Sequence, residues 1–103
     1  MNCELRKLRE QIDIEDSLIL SHLSARIAIA KQIRAVKKRI GAPHPDLNRE
    51  SQLLGDIRQR ARACGLHEDH AVKVFKAIIS LTKYEQAKYI RGKNTVVDGV
   101  NTE

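Results

Sequence analysis

MNCELRKLREQIDIEDSLILSHLSARIAIAKQIRAVKKRI, residues 1–40, holds neither Gly nor Pro, and its apolar side chains recur at the three-and-four spacing of one helix face. Leu5, Leu8, Ile12, Ile19, Leu23, Ile27, Ala30, Ile33 and Ile40 make up that stripe. The stretch predicts one continuous helix. At about 1.5 Å of rise per residue it reaches roughly 55 to 60 Å, against a radius of gyration of about 13 Å for a compact domain of this size. One chain cannot cover such a rod, so the apolar face beyond the reach of its own later helices needs another surface, most simply the same helix of a second copy. A homodimer is therefore part of the fold expectation.

Beyond this helix, Lys37, Lys38 and Arg39 suit a C-terminal dipole and Gly41 suits a helix end. Pro43 and Pro45 make residues 41–45 a loop, and Asp46 or Asn48 can cap a second helix with the stripe Leu54, Ile57, Ala61 and Cys64. Gly65 closes it. Leu66 fits the hydrophobic residue after a glycine cap, and Glu68 and Asp69 fall in the first turn of a third helix. Its stripe, Val72, Phe75, Ile78, Ile79, Thr82, Gln86, Tyr89 and Ile90, stops after Arg91. The expected fold is all-α, with three helices per chain, one very long and two shorter, forming an intertwined helical homodimer. Residues 1–91 form the helical domain and residues 92–103 a polar, frayed C-terminal tail.

Composition narrows the function. The 103 residues suit one domain with a modest core, and aliphatics dominate the 42% hydrophobic fraction while aromatics supply 3%, which favours a helical bundle over a sheet. A net charge of +6 asks for an anionic partner. Nucleic acid is disfavoured, because acidic residues are interspersed almost throughout and the few aromatic residues offer no stacking platform. No apolar run is long enough to span a bilayer, and Arg6, Lys7 and Arg9 break any signal-peptide core, so a soluble cytoplasmic protein without a membrane partner is expected. Cys3 and Cys64 read as free, buried or partly buried thiols rather than a disulfide. Cys64, His67 and His70 have a spacing that suggests a metal, but Gly65 breaks the helix between them and a fourth ligand is lacking, so no metal site is expected. His22 and His44 are expected on the surface or at an interface.

The informative positions are polar residues where apolar ones belong, since an unsatisfied buried donor costs on the order of 1 to 3 kcal/mol. Arg26 and Lys37 are eleven positions apart, almost three full turns, so both point the same way from sites about 16 Å apart. Their long arms can converge on one small anion. Arg9 lies seventeen positions before Arg26, about 25 Å away and rotated by roughly a quarter turn, so it can close only the pocket of a second copy. Thr82 and Gln86 share a face with Phe75 and Ile79. Arg49 and Glu50 open the second helix, where free backbone N–H groups favour an anion. Taken singly, an Arg or Lys on a helix is most often solvated, Glu50 a favourable dipole charge, and Thr82 with Gln86 a rim. Together they offer cations, neutral donors and one carboxylate, with no nucleophile paired to a base. Composition and spacing alone describe a helical dimer with an anion pocket.

Leu8-Arg9-Glu10-Gln11-Ile12-Asp13 with Asp16, then Leu23 and Arg26 followed by Ala30, Ile33 and Lys37, then Asp46-Leu47-Asn48-Arg49-Glu50 with Leu53-Leu54 form an ordered, ungapped series. It continues through Gly65-Leu66, Val74-Phe75, Ile78-Ile79 and Gln86, covering about residues 5–90. This series resembles the all-α chorismate mutase family of small intertwined dimers. The resemblance implies an isomerase of the shikimate pathway and aromatic amino acid biosynthesis that converts chorismate to prephenate by a Claisen rearrangement, with no cofactor and no covalent intermediate. Such a pericyclic step needs only a substrate held in its compact diaxial chair and stabilisation of the charge that grows on the ether oxygen. By position, the resemblance implies that Arg26, and Arg9 from the other subunit, clamp the two carboxylates. Lys37 and Gln86 would donate to the ether oxygen, Glu50 with the backbone at Asp46 would hold the C4 hydroxyl, and Arg49 and Thr82 would support a carboxylate.

Two residues depart from the family pattern. Thr82 stands where Ser is typical, and Lys83 stands where an apolar residue is common, so Lys83 either points away from the pocket or adds a cation near it. Glu85-Gln86 with Lys88-Tyr89 also looks like the related isochorismate-pyruvate lyases, and a 4-amino-4-deoxychorismate mutase is a further alternative because a carboxylate can hold an ammonium. The mutase ranks first because Asp46, Arg49 and Glu50 together match its pattern for the C4 hydroxyl. A basic helical nucleic-acid-binding or interaction module, with its cations turned outward, is the non-enzymatic rival.

Overall fold

The computed structural model describes the backbone of residues 2–102 and the side chains of residues 2–88. Three helices follow one another, α1 (Cys3–Ile40), α2 (Leu47–Ala63) and α3 (Glu68–Thr102), with no strand among the described residues. The all-α expectation holds. α1 starts where the Asn2 side chain accepts the Leu5 N–H at 3.1 Å, and it ends at Gly41, whose φ of 74° lets its N–H and that of Ala42 turn back to the Lys37 carbonyl. Its 38 residues account for the longest dimension of the chain, 58 Å. The radius of gyration is 18.4 Å, well above the value of about 13 Å for a compact chain of this length.

Asp46, rather than Asn48, caps α2 by accepting the Arg49 N–H at 3.0 Å. At its far end Gly65 has φ 75°, the Leu66 N–H reaches the Ala61 carbonyl at 2.8 Å, and the Gly65 N–H reaches that of Arg62 at 3.1 Å. This pair of bonds is a Schellman motif. Across the turn Arg62 binds Glu68 through Nε at 2.8 Å and a terminal nitrogen at 2.9 Å, while Arg58 binds Asp69 at 2.6 Å. Those guanidinium hydrogen bonds hold both carboxylates below their ordinary range. They are exposed, so they direct the turn more than they stabilise the fold. His67 accepts the His70 N–H at 3.3 Å at the start of α3, the two rings lying 4.6 Å apart.

The cross-links give the helix directions. Lys83 meets Glu50, Asp69 meets Arg58 and Glu68 meets Arg62, so α2 and α3 run antiparallel. Thr82 meets Arg26 and Gln86 meets Ala30, so α3 runs parallel to the second half of α1. Ile57 and Ala61 of α2 and Val72 of α3 form the small apolar core, whereas the backbones of α1 and α2 stay apart among the described residues. α1 buries no residue fully, and its half-buried face carries Leu23, Arg26, Ile27, Ala30, Arg34 and Lys37. The first half of its stripe is bare. Leu5, Leu8, Ile12 and Ile19 are between 42 and 60% exposed.

Two expectations need correction or extension. Cys3 and Cys64 are free but exposed, not buried, because Cys3 lies on the uncovered first turn of α1 and Cys64 is the C-cap of α2, beyond its packed stripe. The helical backbone of α3 also continues past Arg91 to Thr102, through a stretch without Pro, so the third helix is nearly as long as the first. The side chains beyond Lys88 lie outside the described residues, and the division at residue 91 rests on the sequence pattern. No helix among the described residues is long and apolar enough to cross a membrane.

The glycines give a stability test. Gly65→Ala forces a Cβ into a left-handed conformation and should cost about 1 to 2 kcal/mol, while Gly55→Ala, inside α2 where the new Cβ meets nothing within 4 Å, should add up to about 1 kcal/mol. Urea denaturation of both variants beside the parent measures the two signs. A Gly65→Ala chain as stable as the parent would mean that the Schellman turn does not define the α2–α3 connection.

Candidate active site

A cavity of about 260 Å³ opens where α1, the start of α2 and the middle of α3 converge. Helix direction explains the meeting: parallel α1 and α3 bring Arg26 and Ala30 beside Thr82 and Gln86, and antiparallel α2 brings its N-terminus to Lys83. Ile29, Ala30, Ile33, Leu53 and Ile79 supply apolar wall. Arg26, Lys37, Arg49 and Lys83 set cations around it, and Asp46 and Glu50 set two carboxylates.

The three polar residues of α3 that line the cavity, Thr82, Lys83 and Gln86, each have a defined partner. An Arg26 terminal nitrogen donates to the Thr82 hydroxyl at 3.0 Å, and that hydroxyl donates its proton to the Ile78 carbonyl at 2.8 Å. The guanidinium is thereby oriented with other N–H groups unused by this bond. Gln86 donates from Nε2 to the Ala30 carbonyl at 2.8 Å, which leaves the second hydrogen of its amide. Both side chains are buried, Thr82 at 8% and Gln86 at 6% exposure. Lys83 Nζ lies 2.9 Å and 3.1 Å from the two oxygens of Glu50. Lys37 forms no ion pair among the described residues. The Thr82 proton goes to a backbone carbonyl rather than to a base, so this hydroxyl is not an activated nucleophile.

The family comparison agrees with this inventory. The model of chorismate mutase type II matches residues 8–87. The chain belongs to the chorismate mutase type II family. A chorismate mutase of Methanocaldococcus jannaschii is 29% identical over 87 residues, spanning 84% of this chain and 88% of that protein. The T-protein of Enterobacter agglomerans is 33% identical over 79 residues, which cover 77% of this chain and 21% of that protein.

Of the positions read from the sequence by resemblance to the chorismate mutase family, Arg26, Lys37, Asp46, Arg49, Glu50, Thr82 and Gln86 all line the cavity. Arg9 does not. It is exposed on the uncovered half of α1. Lys83 adds a cation to the cavity rather than turning away from it. His44, expected at the surface or an interface, lines the cavity as well, with its Nδ1 buried and without a partner among the described residues. Sequence reasoning missed it because a His between two prolines has no periodicity to assign it a face. His22 is exposed.

Burial holds the His44 imidazole below its ordinary value of 6.5, helped by Arg34, Lys37 and Lys83 and opposed by Glu50. As pH falls through 6.5 the unfolded chain takes up this proton first, so the native state loses stability there, and the loss from His44 ceases once pH passes below its folded value. Urea denaturation at about pH 7.5 and about pH 5.5 should therefore show a smaller acid loss for His44→Gln than for the parent. Equal losses would mean that His44 protonates as readily in the folded chain as in the unfolded one.

Proposed function

We propose that this protein catalyses the rearrangement of chorismate to prephenate, as a cytoplasmic homodimer and without a cofactor. The observation that carries the reading is the charge of the cavity: Arg26, Lys37, Arg49 and Lys83 against Asp46 and Glu50 leave a surplus of two positive charges when His44 is neutral, which suits a dicarboxylate. Family membership agrees with it. The reaction is intramolecular: the ether C–O bond breaks while a C–C bond forms, and no proton or electron enters or leaves. Catalysis then consists of shape and charge.

Arg26, held by Thr82, clamps one carboxylate through a bidentate pair, with Arg49 in support. Arg9 of a second copy clamps the other carboxylate. The uncovered apolar residues of α1 support that dimer, because Leu5, Leu8, Ile12 and Ile19 need a surface that the described residues do not supply. Lys37 and the remaining Gln86 N–H donate to the ether oxygen, where negative charge grows as the bond lengthens. Glu50, with the backbone at Asp46, accepts from the C4 hydroxyl. The apolar wall of Ile29, Ala30, Ile33, Leu53 and Ile79 gives the substrate's carbon skeleton a surface to pack against. Two free, exposed thiols suit a reducing compartment.

Incubation of purified protein with chorismate should consume it and yield prephenate, followed by absorbance. Pyruvate and salicylate formed from isochorismate, without prephenate from chorismate, would assign the chain to the lyases instead. Lys37→Ala should lower kcat by about 10²- to 10³-fold, since its hydrogen bond strengthens in the transition state. A change confined to KM would contradict that role. Mixing Arg9→Ala chains with Lys37→Ala chains should recover part of the activity, because a heterodimer contains one intact site; verified heterodimers without recovery would place each site within a single chain.

A further inference from the structure

We propose that Lys83 decides which C4 substituent the site accepts, admitting a hydroxyl and disfavouring an ammonium. The inference rests on the mutase reading above, in which Glu50 holds the C4 group. An unpaired carboxylate in that place would favour an ammonium over a hydroxyl, because it meets a full opposite charge rather than a dipole. Glu50 is paired. The Lys83 ammonium bridges both of its oxygens, at 2.9 Å and 3.1 Å. Glu50 also lies in the first turn of α2, where the helix's positive end already favours its charge.

This pairing leaves the acceptor and removes the net charge. A carboxylate offers about four lone-pair sites, so one ammonium does not exhaust its capacity to accept an O–H. An incoming substrate ammonium within hydrogen-bond reach of Glu50 comes within a few ångströms of Lys83 Nζ, and the repulsion offsets much of the attraction. Lys37 lines the same cavity and adds repulsion. Asp46, the other carboxylate of the cavity, has one oxygen engaged by the Arg49 N–H at 3.0 Å as a helix cap. The Lys83 and Glu50 side chains are 43% and 26% exposed, so water screens the pair in part and the effect is a preference between substrates, not an absolute barrier. Helix geometry explains the placement. Thr82 faces Arg26 on α1, and the next residue, turned by about 100°, faces the start of α2.

The test is kcat/KM for chorismate and for 4-amino-4-deoxychorismate, measured on the parent, Lys83→Met and Lys83→Arg, with thermal unfolding to establish that each variant is folded. The parent should prefer chorismate. Lys83→Met, which keeps the stem and drops the charge, should move the ratio toward the amino compound by about tenfold or more, and Lys83→Arg should keep the parental ratio. Lys83→Gln serves as a second neutral variant should the Met chain not fold. An unmoved ratio in a folded neutral variant, an equal shift in Lys83→Arg, or a parent that prefers the amino compound overturns the inference. A parent inactive on both compounds overturns the mutase reading and this inference with it, whereas an active parent with an unmoved ratio overturns the inference alone.

Discussion

Thr82 and Gln86 carry polar groups into the surface that α3 shares with α1, and the cavity depends on both being satisfied there. Left without partners, each would cost on the order of 1 to 3 kcal/mol. Thr82 meets Arg26 and Gln86 meets the Ala30 carbonyl, and each pair spans the same 56 positions of sequence. Two bonds one helical turn apart on both helices define direction, rotation and register together. Apolar contact would tolerate a sliding interface; this one does not. The same two side chains that align the helices also aim one cation and one amide donor at the cavity, so packing and site geometry have a common origin.

The charge arrangement follows from where α2 begins. Its N-terminus, capped by Asp46, arrives between the C-terminal half of α1 and the middle of α3, bringing Arg49 and Glu50 to a place already lined by Arg26, Lys37 and Lys83. Cations so close together repel one another, and the cost is bearable because the site is partly open and because Glu50 compensates Lys83 at 2.9 Å. Lys37 lacks such compensation among the described residues, and His44 beside it is held below its ordinary protonation range. A cavity that disfavours the charged form of a histidine and leaves a lysine without a counter-ion among the described residues suits an anion that brings its own charge.

α1 serves two ends of this design. Its C-terminal half forms a wall of the cavity, and its N-terminal half presents Leu5, Leu8, Ile12 and Ile19 with nothing among the described residues to cover them. The rod is continuous through both halves, capped by Asn2 at one end and Gly41 at the other. An amphipathic helix of this length draws most of its stability from what packs against its apolar face, so the proposed partner and the proposed site are linked through one element.

How much was legible in the sequence differs between α1 and the loop before α2. The helical periodicity of residues 1–40, the caps at Gly41, Asp46 and Gly65, and the polar interruptions at Arg26, Lys37, Thr82 and Gln86 are local properties of spacing, and they determined the three-helix fold and most of the cavity's lining. A residue's place on its own helix face follows from 3.6 residues per turn, without knowledge of any other element. Which faces meet does not. Only the tertiary structure decided that Lys83 reaches Glu50, that His44 turns its Nδ1 inward, and that Cys64 ends a helix outside the core. Those outcomes depend on the relative position of two elements, or on a loop without a period, and no spacing within one segment encodes them.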